Sequence, residues 1–457
     1  MVKTLLVLAL VLFATGLWAE TTEEKIKKLE EKIEQLEKQL AAASQNTETA
    51  EMEEIRRQVA ILAEEVEKLR TGESTELEVD EQQQKALGLG TSAASVYRKK
   101  QGPTIAGYGE MLYENFSEER DSGVESEETD QIDFLRAVVY LGYRFNDRFL
   151  FNSEIEFEHA KTEGGEVAVE FAYIDYLMRN ELSLRGGMVL IPMGIVNEFH
   201  EPTQYIGTHR SLTETFIIPS TWRENGAGAL GRSGMFYYRG YVIAGLNAAE
   251  FTSEGLREGR QEGGNSKLGS PAFVGRLDVS PIPNLTFGTS AFAGDSGLFE
   301  SSGEEEERVS ESEADFDVPT RIFEVHGEFR QKGLQLRGLY AHASLDHVAE
   351  LNGALGFPGV SSVGESMNGG YFETSYNLLA GKSDQAVIPY LRYEKINTQS
   401  EVPVGFLKNP ANDQSLWTFG LEYKPISNIV IKADYQNFDN KANTGVDQFN
   451  ILLGYSF

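Results

Sequence analysis

The chain has 457 residues, a formal net charge of −30, 45 glycines, 19 tyrosines, 26 phenylalanines and no cysteine. So acidic a balance excludes nucleic acid as a partner, because phosphate contacts demand Lys and Arg. The absence of cysteine excludes a disulfide scaffold and a thiol-linked lipid anchor, and it fits an exported chain. Beyond the N-terminal leader no stretch approaches the roughly 20 apolar residues of a membrane helix.

Met1 to Ala19 carries one cation, Lys3, an apolar run from Leu5 to Phe13 and small residues to Ala19. This is the pattern of a secretory signal cut after Ala19, although Leu17 is larger than usual at its place before the cut. Glu20 to Arg70 reads as a coiled coil. Ile26, Leu29, Ile33, Leu36 and Leu40 step by three and four, and Met52, Ile55, Val59, Leu62, Val66 and Leu69 do so again after a break at Ala41 to Ala50. The stripe is too narrow for a globular core. It calls for a partner chain, the alternatives being a lone helix or a hairpin across the break. Ile at the first core position with Leu at the second favours two-stranded coils. Thr71 to Pro103, with Gly88 and Gly90 in a polar Glu/Gln stretch, reads as a linker.

From residue 104 the rhythm changes to period two, the mark of strands. Ile105, Gly107, Gly109, Met111 and Tyr113 share one face of the first strand. Leu135, Ala137, Val139, Leu141 and Tyr143 share one face of the second, and Phe149, Phe151, Ser153, Ile155 and Phe157 one face of the third. Further strands are predicted at Val167–Arg179, Leu182–Ile191, Gly226–Phe236, Tyr241–Ala248, Ala272–Ser280, Leu285–Ala293, Thr320–Arg330, Leu334–Ala343, Gly369–Leu378, Ala386–Asn397, Ser415–Lys424, Ile429–Asn437 and Asp447–Phe457. The last has Phe449, Ile451, Leu453, Tyr455 and Phe457 on one face, and Asn450, Leu452, Gly454 and Ser456 on the other. Connections after even strands are short, as at Asn146-Asp147 and Asn180-Glu181. Most after odd strands are long, as at Ser117 to Asp130 and Pro192 to Asn225. An even strand count with loops sorted by parity predicts an all-β fold, a 16-stranded antiparallel transmembrane β-barrel over 104–457, with 18 strands the alternative and the α-helical coiled coil before it.

A barrel of about 16 strands leaves an aqueous channel. Charged residues fall on the predicted inward face, where they meet water instead of lipid. Arg136, Arg144, Glu154, Glu156, Glu158, Glu170, Arg185, Arg276, Asp278, Glu324, Glu328, Arg337, Arg392, Glu394, Lys432 and Asp434 are in this set. Each Lys or Arg turned to lipid would lose about 2–4 kcal/mol at the midplane. The connection Pro192 to Asn225 is too long for a plain loop and carries Ile195, Phe199, Tyr205, Phe216, Ile217 and Ile218, which need cover. Folding inward would cover them and set a constriction charged by Glu198, His200, Glu201, His209, Arg210, Glu214 and Arg223. The alternative is an outer loop packed on a neighbouring barrel. The candidate pore-lining set is Arg136, Glu154, Glu156, Arg185, Glu198, His200, Arg210, Arg223, Arg337, Arg392 and Glu394.

The segments LRGGMVLIPMGIVNEFHEP (Leu184 to Pro202), TWRENGAGALG (Thr221 to Gly231) and VIPYLRYEKIN (Val387 to Asn397) resemble the phosphate-selective porin O and P family. The resemblance implies a homotrimeric diffusion channel in the outer membrane, with an inward loop and with the coiled coil in the periplasm. Anion-selective members line the path with an arginine ladder and a lysine cluster. Here the arginines are scattered, glutamates stand among them and there is no lysine cluster. The terminal Phe457 also resembles the signal read by the outer-membrane assembly machinery. Glu118 to Asp130 and Asp295 to Asp317 carry seven and ten acids against one Arg each, half of the chain's net charge. Such runs are solvated faces or a negative vestibule. No cofactor motif or metal spacing appears; His342 and His347 do not match one, and an enzyme would have to pair Ser375 with His326 by face alone. The expected function is therefore passive diffusion of small hydrophilic or charged solutes, the alternative being a structural tether built on the stalk.

Overall fold

The computed structural model describes residues 81–159, 165–268, 271–297 and 317–457, and helical residues 27, 28, 30–32, 34 and 35. The residues predicted as a signal sequence and as the core positions of a coiled coil, residues 71–80 and most of the second acidic run lie outside the described residues. Two compact units divide the chain, Met1–Leu77 and Glu78–Phe457.

In the second unit sixteen strands close into one antiparallel barrel, each paired with its neighbours in sequence and β1 with β16. They are β1 (Gly102–Phe116), β2 (Gln131–Arg144), β3 (Phe149–Glu158), β4 (Glu166–Arg179), β5 (Leu182–Leu190), β6 (Arg223–Ser233), β7 (Phe236–Ala244) and β8 (Pro271–Ile282). The second half comprises β9 (Leu285–Asp295), β10 (Pro319–Gln331), β11 (Leu334–Leu345), β12 (Ser366–Tyr376), β13 (Ala386–Glu401), β14 (Asp413–Ile426), β15 (Ile429–Asn440) and β16 (Gln448–Ser456). The expected strand count and the parity of the connections both hold. The turn between β6 and β7 does not fall where the sequence placed it. Ser233 pairs with Phe236 across Gly234-Met235, and Gly234 takes φ +59°. Gly234 supplies the positive φ that a two-residue hairpin needs, so Tyr237 to Gly240 belong to a strand, while residues 245–248 lie beyond it.

The alternation is inverted relative to a soluble protein. On β15 Lys432 is 0% exposed and Ile431 is 42% exposed; on β14 Thr418 is 0% and Trp417 is 41%. Phe419, Leu421, Tyr435, Phe449, Ile451 and Leu453 continue the exposed apolar row, while Glu422, Asp434, Asn450 and Leu452 are buried inside. A belt of large apolar side chains around a closed sheet is the surface of a barrel that crosses a membrane. Closure leaves no strand edge unpaired, as lipid requires.

The closing seam depends on a residue without a side chain. Gly107 donates its N–H to the Phe457 carbonyl at 3.0 Å and accepts from the Phe457 N–H at 2.8 Å. A Cβ at Gly107 would meet the Val138 carbonyl oxygen and the Phe457 ring. Backbone cannot move aside as a flexible side chain can. Gly107→Val is therefore expected to destabilise the folded barrel by about 1–3 kcal/mol or more. The check is the urea midpoint in lipid vesicles, followed by loss of heat-dependent gel mobility; an unchanged midpoint counts against this seam.

Candidate functional site: the barrel lumen

Two segments fill the lumen. The first is the β5–β6 connection, residues 191–222. Its backbone is held by inward-pointing wall residues. The Lys432 ammonium donates to the Tyr205 and Gly207 carbonyls at 2.7 and 2.9 Å and sits 3.8 Å from the Tyr205 ring centroid. Arg392 donates to the carbonyls of Ile206 and His209 at 3.4 and 3.1 Å. Glu394 accepts from the Leu212 N–H at 2.8 Å, and Asp434 from the Thr208 N–H at 2.8 Å. A short π-helical turn, Thr213–Ile217, brings Glu214 to the Tyr371 hydroxyl, which donates to it at 3.0 Å. Ile217, Ile218 and Trp222 are buried against Leu246, Phe251, Leu256 and Phe292. The apolar residues that needed cover find it inside the barrel.

The second is the stretch expected as a linker, which the structure shows otherwise. Helices α1 (Glu81–Leu87) and α2 (Ser95–Arg98) flank a turn; Leu89, Ala93 and Ala94 of the turn and Val96 and Tyr97 of α2 are buried. Asn152 donates to the Ala93 carbonyl at 2.8 Å, and Arg185 and Arg144 to those of Leu87 and Tyr97 at 3.1 and 3.0 Å. Arg239 donates to the Lys85 carbonyl. Glu201, in the inward segment, accepts from the Ser92 and Ala93 amides at 2.8 and 3.1 Å. Burial pushes the Glu201 carboxyl up to about 7, against the pull of those amides. A Cβ at Gly88 would strike the Glu198 carboxylate and one at Gly90 the Glu201 carboxylate. The two glycines thus serve close approach.

The predicted lining residues lie inside and, Arg210 apart, fall into separate ion-pair groups. Arg136 reaches Glu110 at 2.8 Å, Glu156 at 2.9 Å and Glu158 at 3.3 Å. His200 lies 3.2 Å from Glu154, which also accepts from Tyr108. Glu198 pairs with Arg239 at 2.9 Å. Arg223 pairs with Glu170 at 2.8 Å and Glu262 at 3.3 Å. Arg337 binds Glu328 at 2.9 Å, and Arg392 binds Glu394 at 2.8 Å. Arg185 pairs with Asp175 at 2.8 Å, and Tyr97 donates to the same carboxylate at 2.6 Å, so Arg185 is covered by the N-terminal stretch instead of facing an open path. His326 lies against Asp278, Glu324 and Arg276, not against Ser375.

Arg210 stands apart. It has no carboxylate within ion-pair distance among the described residues, and its buried Nη2 has no hydrogen-bond partner. Arg257, in the β7–β8 connection, is likewise without an ion pair among the described residues. Burial, with the positive charges of Arg260 and Arg210 beside it, pulls the Arg257 guanidinium down to about 10. Sequence reasoning missed Arg257 and Arg260. Their connection carried no signal beyond its length and the spacing of two arginines in GLREGR. A cavity of about 420 Å³ remains between α1, the inward segment and the wall, bordered by Lys85, Phe199, Tyr205, Arg239, Arg276 and Arg337.

No family model matches the chain. A protein of Aquifex aeolicus (strain VF5), described as an uncharacterized protein, is 36% identical over 383 residues, 81% of this chain and 83% of that protein. Among solved structures, the outer membrane channel DcaP of Acinetobacter baumannii superposes with a TM-score of 0.52 at 12% identity, over 81% of this chain and all of that one. A loop L8 deletion mutant of OmpT, an outer membrane protein of Vibrio cholerae, gives 0.50 at 12% identity, over 79% and 100%. The fold is that of outer-membrane porins.

The buried Arg185–Asp175 pair supplies a direct energetic test. Removing one member leaves the other charge buried and alone, at about 3–5 kcal/mol. Arg185→Met should lower the unfolding free energy in lipid vesicles by that order. Arg185→Met combined with Asp175→Leu should lose less than the single variant. A double variant worse than the single one would contradict the pairing.

Proposed function

This chain belongs to the same family as the Aquifex aeolicus protein, and from its barrel and charged interior we infer that it is a passive outer-membrane channel for small hydrophilic solutes. The single observation that carries this reading is the inversion of the wall. Ionised side chains face a lumen, and apolar ones face outward all round. Residues 191–222 act as the constriction and carry Glu198, His200 and Arg210, with Arg223 following at the start of β6. Arg136, Glu154, Glu156, Arg185, Arg337, Arg392 and Glu394 form the wall around it.

Charge pairing sets the preference. Carboxylates in the lumen are matched by guanidiniums, by imidazoles or, as at Glu201, Glu214 and Glu224, by backbone amides, whereas Arg210 and Arg257 have no carboxylate within ion-pair distance among the described residues. An anion entering that space gains Coulombic attraction that a cation lacks, and low-dielectric walls strengthen it. The channel therefore favours small anions. The three segments that resemble the O and P porins carry no preference for phosphate, because the lysine cluster of the anion-selective members is absent here. The acidic outer runs do not reverse the preference, because their potential decays within about 8 Å at physiological salt. The chain works as a homotrimer, assembled through recognition of the strand ending at Phe457, with its coiled coil in the periplasm.

The purified full chain, inserted in a planar bilayer under a KCl gradient, should conduct with a reversal potential of anion-selective sign. Arg210→Glu, Arg257→Glu and Arg223→Glu should each move that potential toward cations, the last also by freeing Glu170, while Glu262 keeps Arg260. A potential indifferent to Arg210 and Arg257 places them away from the path. A silent protein favours the tether.

A further inference from the structure

We propose that residues 81–101 are a tethered gate: docked, they occupy the turn-side half of the lumen, and their release opens the channel to larger flow. The inference rests on the channel reading of the barrel and goes beyond it.

Both termini of the barrel lie at the end with the short turns, since β1 begins where β16 ends. The stretch enters there. Arg330, beside the β10–β11 turn, pairs with Glu81 at 3.0 Å, and Lys85 donates to Thr286, next to the β8–β9 turn, at 3.3 Å. The chain then crosses the lumen. It passes Arg239 of β7 and the carboxylates of Glu198 and Glu201, and reaches Asn152 of β3, Asp175 of β4 and Arg185 of β5. A segment bonded to so many wall strands and to the inward connection obstructs the passage.

Its attachment is suited to release. Lumenal side chains hold it mainly through its backbone carbonyls and amides, and two of them, Arg185 and Arg239, have charge partners of their own. Arg185 keeps Asp175 and Arg239 keeps Glu198 and Asp278 whether or not the segment is present. Departure leaves those pairs intact, and pore water can replace the hydrogen bonds lost by Asn152, Arg144 and Glu201. Only Leu89, Val96 and Tyr97 are large apolar side chains among its buried residues. The segment is covalently continuous with the upstream unit, so a pull on that unit acts along the chain on the docked residues.

The absence of native cysteine makes the test clean. A Cβ built on Gly142 of β2 lies 2.6 Å from the Val96 Cβ. Gly142→Leu is thus a wedge that leaves the segment's sequence intact. Val96→Cys with Gly142→Cys can form a disulfide after a shift of about 1 Å toward the usual Cβ spacing. Single-channel conductance of the full chain in planar bilayers is the readout. Gly142→Leu should raise it at least twofold. The oxidised cysteine pair should hold it at or below the parent level, and dithiothreitol should release it. If Gly142→Leu does not assemble, Tyr97→Ala takes its place, because it removes the anchor at Asp175 and Arg185 without altering the wall. Parent-like conductance in the wedge or Tyr97→Ala variant, together with equal conductance of oxidised and reduced pairs, overturns the gate while leaving the channel standing. Failure of the pair to cross-link also counts against docking. A parent and variants that are all silent sink the channel reading itself, and the gate with it.

Discussion

A charged side chain cannot face hydrocarbon, and that constraint shapes this molecule. Strands place successive side chains on opposite faces, so each strand must choose one face for charge. Here the buried charges of the wall, such as Glu156, Arg337, Arg392 and Lys432, all take the inward face. Lys432 shows how complete this is: its ammonium is wholly buried, yet two carbonyls and an aromatic face of the inward segment receive it. An edge strand would have left polar backbone in lipid, so the sheet closes.

Once charge is turned inward, it decides what else the barrel holds. Arginine and glutamate on neighbouring strands neutralise one another, which lets the lumen be packed with chain instead of water alone. The inward segment and residues 81–101 bring few charges of their own that lack partners. They offer backbone carbonyls and amides, and the paired side chains of the wall still have hydrogen-bonding capacity to meet them. Arg210 and Arg257 are cations of the interior with no carboxylate within ion-pair distance among the described residues.

The wall was legible in the sequence because a strand reports its surroundings locally. Ile431 and Lys432 sit in lipid-facing and lumen-facing environments that alternate with the backbone, and the residues alternate with them. The long segment after β5 was legible as well, since Ile217, Ile218 and its other apolar residues demanded cover that an exposed loop could not supply. The turn at Gly234-Met235 was misplaced because Tyr237 and Tyr238, aromatic and polar at once, suit either a strand or its end. Gly88 and Gly90 misled for a deeper reason: glycine marks a slack linker and a close backbone approach alike, and only the carboxylates of Glu198 and Glu201, more than a hundred residues away in sequence, distinguish the two. Arg257 was invisible on similar grounds. Its significance comes from what is not near it, and a missing counter-charge is a property of the folded lumen.

The account stands or falls on which face of each strand meets lipid. Spin labels attached to single cysteines along β15, at Val430, Ile431, Lys432, Ala433, Asp434 and Tyr435 in turn, report this in reconstituted vesicles through collision with oxygen or with a water-soluble nickel chelate. Ile431, Ala433 and Tyr435 should be oxygen-accessible, and Val430, Lys432 and Asp434 should not, with a period of two residues. Equal accessibility along the strand, or nickel reaching the odd-numbered set, would contradict the barrel's orientation and with it the channel.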